Sequence, residues 1–315
     1  MGLYCGHSFQ SSAHNPGGEA VDRRSFLVSS LAAGALACTA LPAAAAESGA
    51  LAWPGPIGLE VYTVRDLFAK APLATMRQVA AIGYKAMELG LATLPKGGPA
   101  TARADLRQAG LVSWSGTWSM PGSATEWDKT MGQAQELGMK YIVCMTPVVK
   151  PASFWREQAG LLARAGDQCA QRGLQLCYHA HWPEFVSSGG EPTGYEILMQ
   201  NTTPQQLMFE MDVFWMVWAK QDPVAWFHRA PGRFPILHIK DMKKQLPAGD
   251  AFDSWPKTGT IPFTYVGGGR IDWRSIFANV KLAGTQHIYV EQDECDLPVL
   301  ESCRRSYDYL RKLRL

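Results

Sequence analysis

The sequence predicts a parallel barrel of eight β/α units, and three observations carry that expectation. Eight short apolar runs alternate with longer amphipathic segments at roughly 25–40 residue spacing, the repeat of parallel strand–helix units. The 269 residues after position 46 come close to the ~250 typical of one barrel domain. Charged and imidazole side chains recur where the apolar runs end, and in a barrel those ends converge on one face. The alternative, an open doubly wound sheet, lacks a GxGxxG turn after its first strand.

Taken in order, the strands are IGLEVYTV (57–64), AMELG (86–90), LVSWSGTW (111–118), YIVCMTP (141–147), LQLCYHAH (174–181), LMFEMDVFW (207–215), PILHIKD (235–241) and HIYVEQD (287–293). Helical patterns fill the gaps. SATEWDKTMGQAQELG (123–138) opens on a Ser123-x-x-Glu126 capping box. The segments 152–173 and 272–284 each close on glycine, and Asp272 suits an N-cap. The longest irregular stretch, 243–270, has a length usually tied to function or disorder. Its Gly267–Gly269 run reads as a tight turn, since a lone glycine run is weak support for a phosphate cradle.

Residues 1–46 read as an export leader rather than fold, leaving 47–315 as a single barrel domain. Arg23 and Arg24 precede an alanine-rich apolar stretch and an A-x-A site ending at Ala46, the pattern of a twin-arginine signal. The apolar run is too short and alanine-rich for a membrane span, which needs roughly 20 strongly apolar residues. Cys38 is poorly placed for lipid attachment because Ala35 stands at its −3 position. The expected location is periplasmic or secreted.

Beyond position 46 the chain keeps 28 Lys+Arg and 26 Asp+Glu, with no basic stripe, which argues against a nucleic-acid partner. Five cysteines without CxxC spacing argue against a disulfide framework. A monomer and a homo-oligomer are equally compatible with this composition.

The chemistry concentrates at strand ends: Glu88; His179, His181 and Glu184; Glu210 and Asp212; His238, Lys240 and Asp241; Glu291 and Asp293. A carboxylate or imidazole inside an apolar strand is costly to bury unless paired or bound to a metal. His179 and His181, spaced i and i+2, should share one strand face. Mixed His/Asp/Glu ligands around an open position suit Mn²⁺, Co²⁺, Zn²⁺ or Mg²⁺.

The segments IGLEVYTVRD, GYKAMELG, GLQLCYHAHWPEF, FEMDVFW, FPILHIKDM, GGGRIDW and YVEQDE resemble the xylose isomerase-like TIM barrel superfamily. Within it they resemble the exported sugar-phosphate-isomerase/epimerase-like proteins, over residues 57 to about 310. The resemblance implies one divalent metal held by His179 or His181, Asp212, His238 and Glu291. It also implies proton abstraction α to the carbonyl of a keto sugar. From that point a lyase expels a β-substituent, while an isomerase or epimerase reprotonates. Histidine in place of the strand-five glutamate, Ala180 within YHAH, and Trp215 in place of a substrate-binding histidine depart from sugar epimerases. Together with export, these departures favour a lyase acting on 3-keto glycosides or amino-sugar analogues.

The expected roles follow. His181, Lys240 and Glu291 are catalytic candidates, since a neutral imidazole suits proton transfer and Lys240 can stabilise an enolate or protonate a leaving group. Glu88, Trp118, Glu184 and Trp215 are substrate-binding candidates, the tryptophans (with Trp114 and Trp182) as stacking faces. A sugar-binding protein without catalysis is the alternative from another class.

Overall fold

The computed structural model describes residues 49–90, 94–119, 124–187, 189–246, 254–257 and 259–315. The expected leader, with Arg23, Arg24, Cys38 and Ala46, and the capping residue Ser123 lie outside the described residues. Eight parallel strands close the barrel: β1 (Gly58–Glu60), β2 (Ala86–Gly90), β3 (Ser115–Ser119), β4 (Tyr141–Met145), β5 (Gln175–His179), β6 (Met208–Asp212), β7 (Ile236–Ile239) and β8 (His287–Val290). Each strand pairs with its sequence neighbours, and β1 pairs with β8 to close the circle.

Period-two alternation explains which side chains reach the interior. Ala86, Tyr141, Val143, Cys177, Ile236 and Tyr289 pack together inside the barrel, while intervening residues such as Met87, Ile142 and Leu237 join the strand–helix layer. The same parity carries Glu60 and Glu88, His179 and Glu210, and Asp212 and His238 side by side across strand pairs. The helices show the complementary stripe. In α5 (Ala152–Gln171), Trp155, Ala159, Leu162, Gly166 and Cys169 are buried at spacings of three and four, one face of a helix. Gly166 lies so close to the Gln206 carbonyl that any Cβ would collide with it. The helix α9 (Trp273–Ala283) starts as its sequence predicts, with Asp272 accepting from the Ser275 N–H, and ends on Gly284 at φ +79°.

Several strands are shorter than the apolar runs that encode them. After Glu60 the chain turns through a 3₁₀ segment, Val61–Val64. The run at 207–215 ends as a strand at Asp212, where the carboxylate accepts from the Trp215 N–H and opens the helix α7 (Val213–Trp218). Apolar periodicity cannot separate a buried strand from a short buried helix. Beyond β7, Asp241–Met242 pairs antiparallel with Phe263–Thr264. Among the described residues no helix is long and apolar enough to cross a membrane.

Candidate metal and acid–base centre

At the carboxyl-terminal mouth of the barrel, His179, Asp212 and His238 each bring one ligand atom to within 4.8 Å of the other two. All three side chains are buried. Each imidazole is braced by a carboxylate on one ring nitrogen: His179 Nδ1 lies 2.8 Å from Glu210, and His238 Nε2 lies 2.6 Å from Glu88. The contact fixes ring orientation and leaves the other nitrogen of His179 for a ligand, whereas the second nitrogen of His238, Nδ1, faces Glu291. Asp212 gives one oxygen to the N-cap of α7, while its Oδ2 faces the Lys240 ammonium. Two imidazoles and a carboxylate fit a divalent cation by donor type. Glu291 lies outside that group of three, 2.9 Å from His238 Nδ1, where it can supply a fourth ligand.

Lys240 shares the inward face with His238 and is ringed by carboxylates: Glu291 at 2.7 Å, Asp293 at 2.8 Å and Asp212 at 3.0 Å. Burial disfavours its charge, but Asp212, Asp293 and Glu291 outweigh burial and hold the ammonium well above its ordinary range. Burial likewise pushes Glu291 up, and Lys240 and His238 reverse it, so Glu291 stays ionised. Asp293, which accepts from Lys240, is raised by burial to about 7.

His181 stays outside the ligand group, so the geometry selects His179 of the two candidates for the metal. Its ring sits 4.7 Å from that of His179. Burial, reinforced by the Lys240 charge, lowers His181 to about 3, so the ring is neutral near pH 7. Its Nδ1 is buried without a hydrogen-bond partner among the described residues.

Below this centre lies an acid cluster. Glu88 accepts from Ser115 at 2.5 Å and from His238. Burial raises Glu60 and the adjacent Glu88 charge raises it further. Glu88 is itself held ionised against burial, chiefly by His238. Glu60, Glu88 and His238 also form a ligand-like group. Glu60 has no role in the sequence reading, yet a carboxylate inside IGLEVYTV carries the same signal as Glu88 does in AMELG.

The structure places four of the residues expected to face a substrate as follows. Glu88 lies beneath the centre, buried, with its carboxylate on His238. Trp118 is three residues beyond the inward-facing Ser115 and so points outward, where it packs among the helices with Met139. Trp114 plugs the opposite end of the barrel, stacked on His287 at 4.4 Å. Glu184 is fully buried, accepting from the His181 N–H at 3.1 Å and from the Tyr178 hydroxyl at 3.0 Å. It therefore shapes the loop that carries His181 instead of gripping a ligand, and burial raises it to about 8. Trp215 remains beside the centre, its ring 5.3 Å from that of His181, on a helix rather than a strand.

The glycine run is likewise filled from within. The Asp241 carboxylate accepts the N–H groups of Met242, Gly267, Gly269 and Ile271 and the indole N–H of Trp273. Gly269 approaches Asp241 too closely to carry a Cβ, and Gly267 has φ +89°.

Parallel strands closed in a ring, with polar groups gathered at the carboxyl-terminal mouth, define a (β/α)8 barrel with a candidate metal-binding triad. The chain belongs to the xylose isomerase-like TIM barrel family, whose sequence profile matches residues 76–313. An inosose dehydratase from Lacticaseibacillus casei is 27% identical over 164 residues, 50% of this chain and 53% of that protein. This chain thus spans about half the length of that relative. A second inosose dehydratase, from Geobacillus kaustophilus, is 26% identical over 65% of this chain and 74% of its own length. Among solved structures, a sugar phosphate isomerase/epimerase from Parabacteroides distasonis superposes with TM-score 0.67 at 24% identity, covering 84% of this chain and 96% of that one. A xylose isomerase-like barrel from Mycobacterium smegmatis in complex with magnesium superposes with TM-score 0.60 at 16% identity, covering 83% and 97%. At these identities the superpositions show the fold alone.

Proposed function

We propose that this chain is a divalent-metal-dependent lyase that removes the proton α to the carbonyl of a keto sugar and expels the substituent β to it. The substrates on this reading are 3-keto glycosides or amino-sugar analogues. The observation that carries the reading is the group of His179, Asp212 and His238 beside a fully charged Lys240. Relatives named for dehydration, a β-elimination with water as leaving group, support elimination over simple epimerisation.

His179, Asp212 and His238 would hold the cation, with Glu291 completing the set. A divalent ion bound there polarises a carbonyl oxygen and stabilises negative charge developing next to it. His181, neutral and adjacent, accepts the α-proton. The imidazolium that forms is stabilised by Glu291, whose charge opposes the depression of the His181 pKa. The Lys240 ammonium faces the developing oxyanion and donates a proton to the departing group. Glu291 and Asp293 hold Lys240 in place, and Asp293 shares its proton. Glu88 and Glu210 keep both ligand imidazoles oriented. We further propose export through the twin-arginine pathway, with cleavage after Ala46.

The test is to incubate protein loaded with Mg²⁺ or Zn²⁺ with a 3-keto-glucoside and follow release of the aglycone. Release that stops on chelation and resumes on adding metal supports the reading. A reprotonated epimer with the glycosidic bond intact would move the assignment to an epimerase.

A further inference from the structure

Resting on the lyase reading, we propose that the aromatic wall beside Lys240 is the subsite for the leaving group. It selects a planar aromatic ring that bears hydrogen-bond acceptors. The wall begins at the centre itself. Trp215 is fixed by the bond from its backbone N–H to Asp212, and its ring centroid lies 5.4 Å from the Lys240 ammonium. From there it extends outward, with Trp255 5.1 Å from Trp215, 5.7 Å from His181 and 5.9 Å from Trp182. Trp255 is 44% exposed, so an indole is offered to solvent at the rim of a catalytic mouth. Phe263 backs Trp215 at 6.1 Å.

Three polar atoms in this wall lack hydrogen-bond partners among the described residues: Trp182 Nε1, Trp215 Nε1 and His181 Nδ1. A buried indole N–H can only donate, so a bound group must bring acceptors to satisfy it. On the β8/β1 side of Lys240 the surroundings are of opposite character. A cavity of about 390 Å³ there has Thr63, Arg65, Asp66, Asp293 and Glu294 in its lining, together with aliphatic residues such as Leu67. Asp293 joins the cavity to Lys240 directly. The polar cavity suits the hydroxyl groups of the sugar, which both donate and accept, and the wall suits what leaves it. Water could accept from the N–H groups but would leave the stacking face of Trp255 unused, and an alkyl group would use neither. A second sugar would need acceptors for its hydroxyl protons, whereas the wall's unmatched indole atoms are donors.

In the step itself the C–H bond α to the carbonyl breaks with its proton passing to His181, and its electron pair forms the new C=C bond. The bond from the sugar's β-carbon to the glycosidic oxygen breaks, its electrons leave on that oxygen, which stays on the arene, and Lys240 protonates it to give a phenol. No oxidant is consumed.

The test compares binding of 4-nitrophenyl β-glucoside and cyclohexyl β-glucoside, neither oxidised, to the metal-loaded full chain by calorimetry. We expect the aryl glucoside to bind about tenfold tighter, the scale of one good aromatic contact. Trp255→Ala should erase that preference and Trp255→Phe should keep most of it. Equal affinities in the wild type, or a preference that survives Trp255→Ala, would overturn the proposal. Wild-type protein that exchanges the α-proton of a free keto sugar but shows no aryl preference defeats this proposal alone. An aryl preference without proton exchange on any keto sugar leaves the wall as a binding subsite and defeats the lyase reading beneath it.

Discussion

Glu184 shows how much a single carboxyl can shape this site without touching its chemistry. It is fully buried and raised to about 8, so it is protonated at neutral pH in the folded chain and ionised in the unfolded one. A folded-state pKa raised above the unfolded value adds stability that is complete at low pH and lost as pH rises through the window from about 4.5 to 8. Glu184→Gln keeps the acceptor for the His181 N–H and cannot ionise. In chelator-treated protein, thermal unfolding of the wild type should therefore weaken from pH 6 to 9 more steeply than that of Glu184→Gln. Parallel pH profiles would show that Glu184 is not held neutral. Trp118 makes the converse case. Its indole lies outside the barrel, so Trp118→Phe should leave kcat/KM within about twofold while lowering stability by about 1–2 kcal/mol through a packing loss. A large fall in kcat/KM at unchanged stability would restore it to the site. Sequence placed both residues near the mouth, but strand parity and backbone hydrogen bonding decide what each one faces. A stretch such as LVSWSGTW does not reveal its parity until the register is known.

At the scale of elements, the eight strands were legible because each is a short apolar run between helical patterns, and the helix ends were legible from Asp272 and Gly284. Where each strand stops was not legible. DVFW reads as more strand, yet Asp212 caps a helix there and fixes Trp215 at the centre. His179, Asp212 and His238 stood in the sequence among a longer set of strand-end imidazoles and carboxylates; the family resemblance narrowed that set and left His179 and His181 as alternatives. The Asp241 nest could not be read there, because the glycines that donate to it lie 26 and 28 positions further along the chain. This nest ties the end of β7 to the entrance of α9 through five donors. Asp241→Ala strips the acceptor from all of them and should cost about 3 kcal/mol, read as a lowered denaturation midpoint. A change below about 0.5 kcal/mol would mean that the turn holds without its carboxylate.

For the molecule as a whole, a rigid barrel presents one polar mouth whose two flanks differ, with carboxylates and hydroxyls near β8 and β1 and aromatic rings beyond β5 and β6. The export proposal predicts that the chain recovered from a bacterial periplasm begins at Glu47, as mass spectrometry of its N-terminus would show. Changing Arg23 and Arg24 to lysine should then leave the uncut chain in the cytoplasm. Periplasmic protein that retains residues 1–46 would contradict the cleavage. The central claim is that the mouth enolises keto sugars by means of a bound cation, and solvent exchange reports this before any bond to a leaving group breaks. The measurement is deuterium incorporation α to the carbonyl of a keto sugar in D₂O, followed by NMR with Mg²⁺-loaded wild type and Asp212→Asn. The account predicts exchange that chelation abolishes and that Asp212→Asn slows by about a hundredfold or more. Exchange at the same rate in chelated protein or in Asp212→Asn would contradict it.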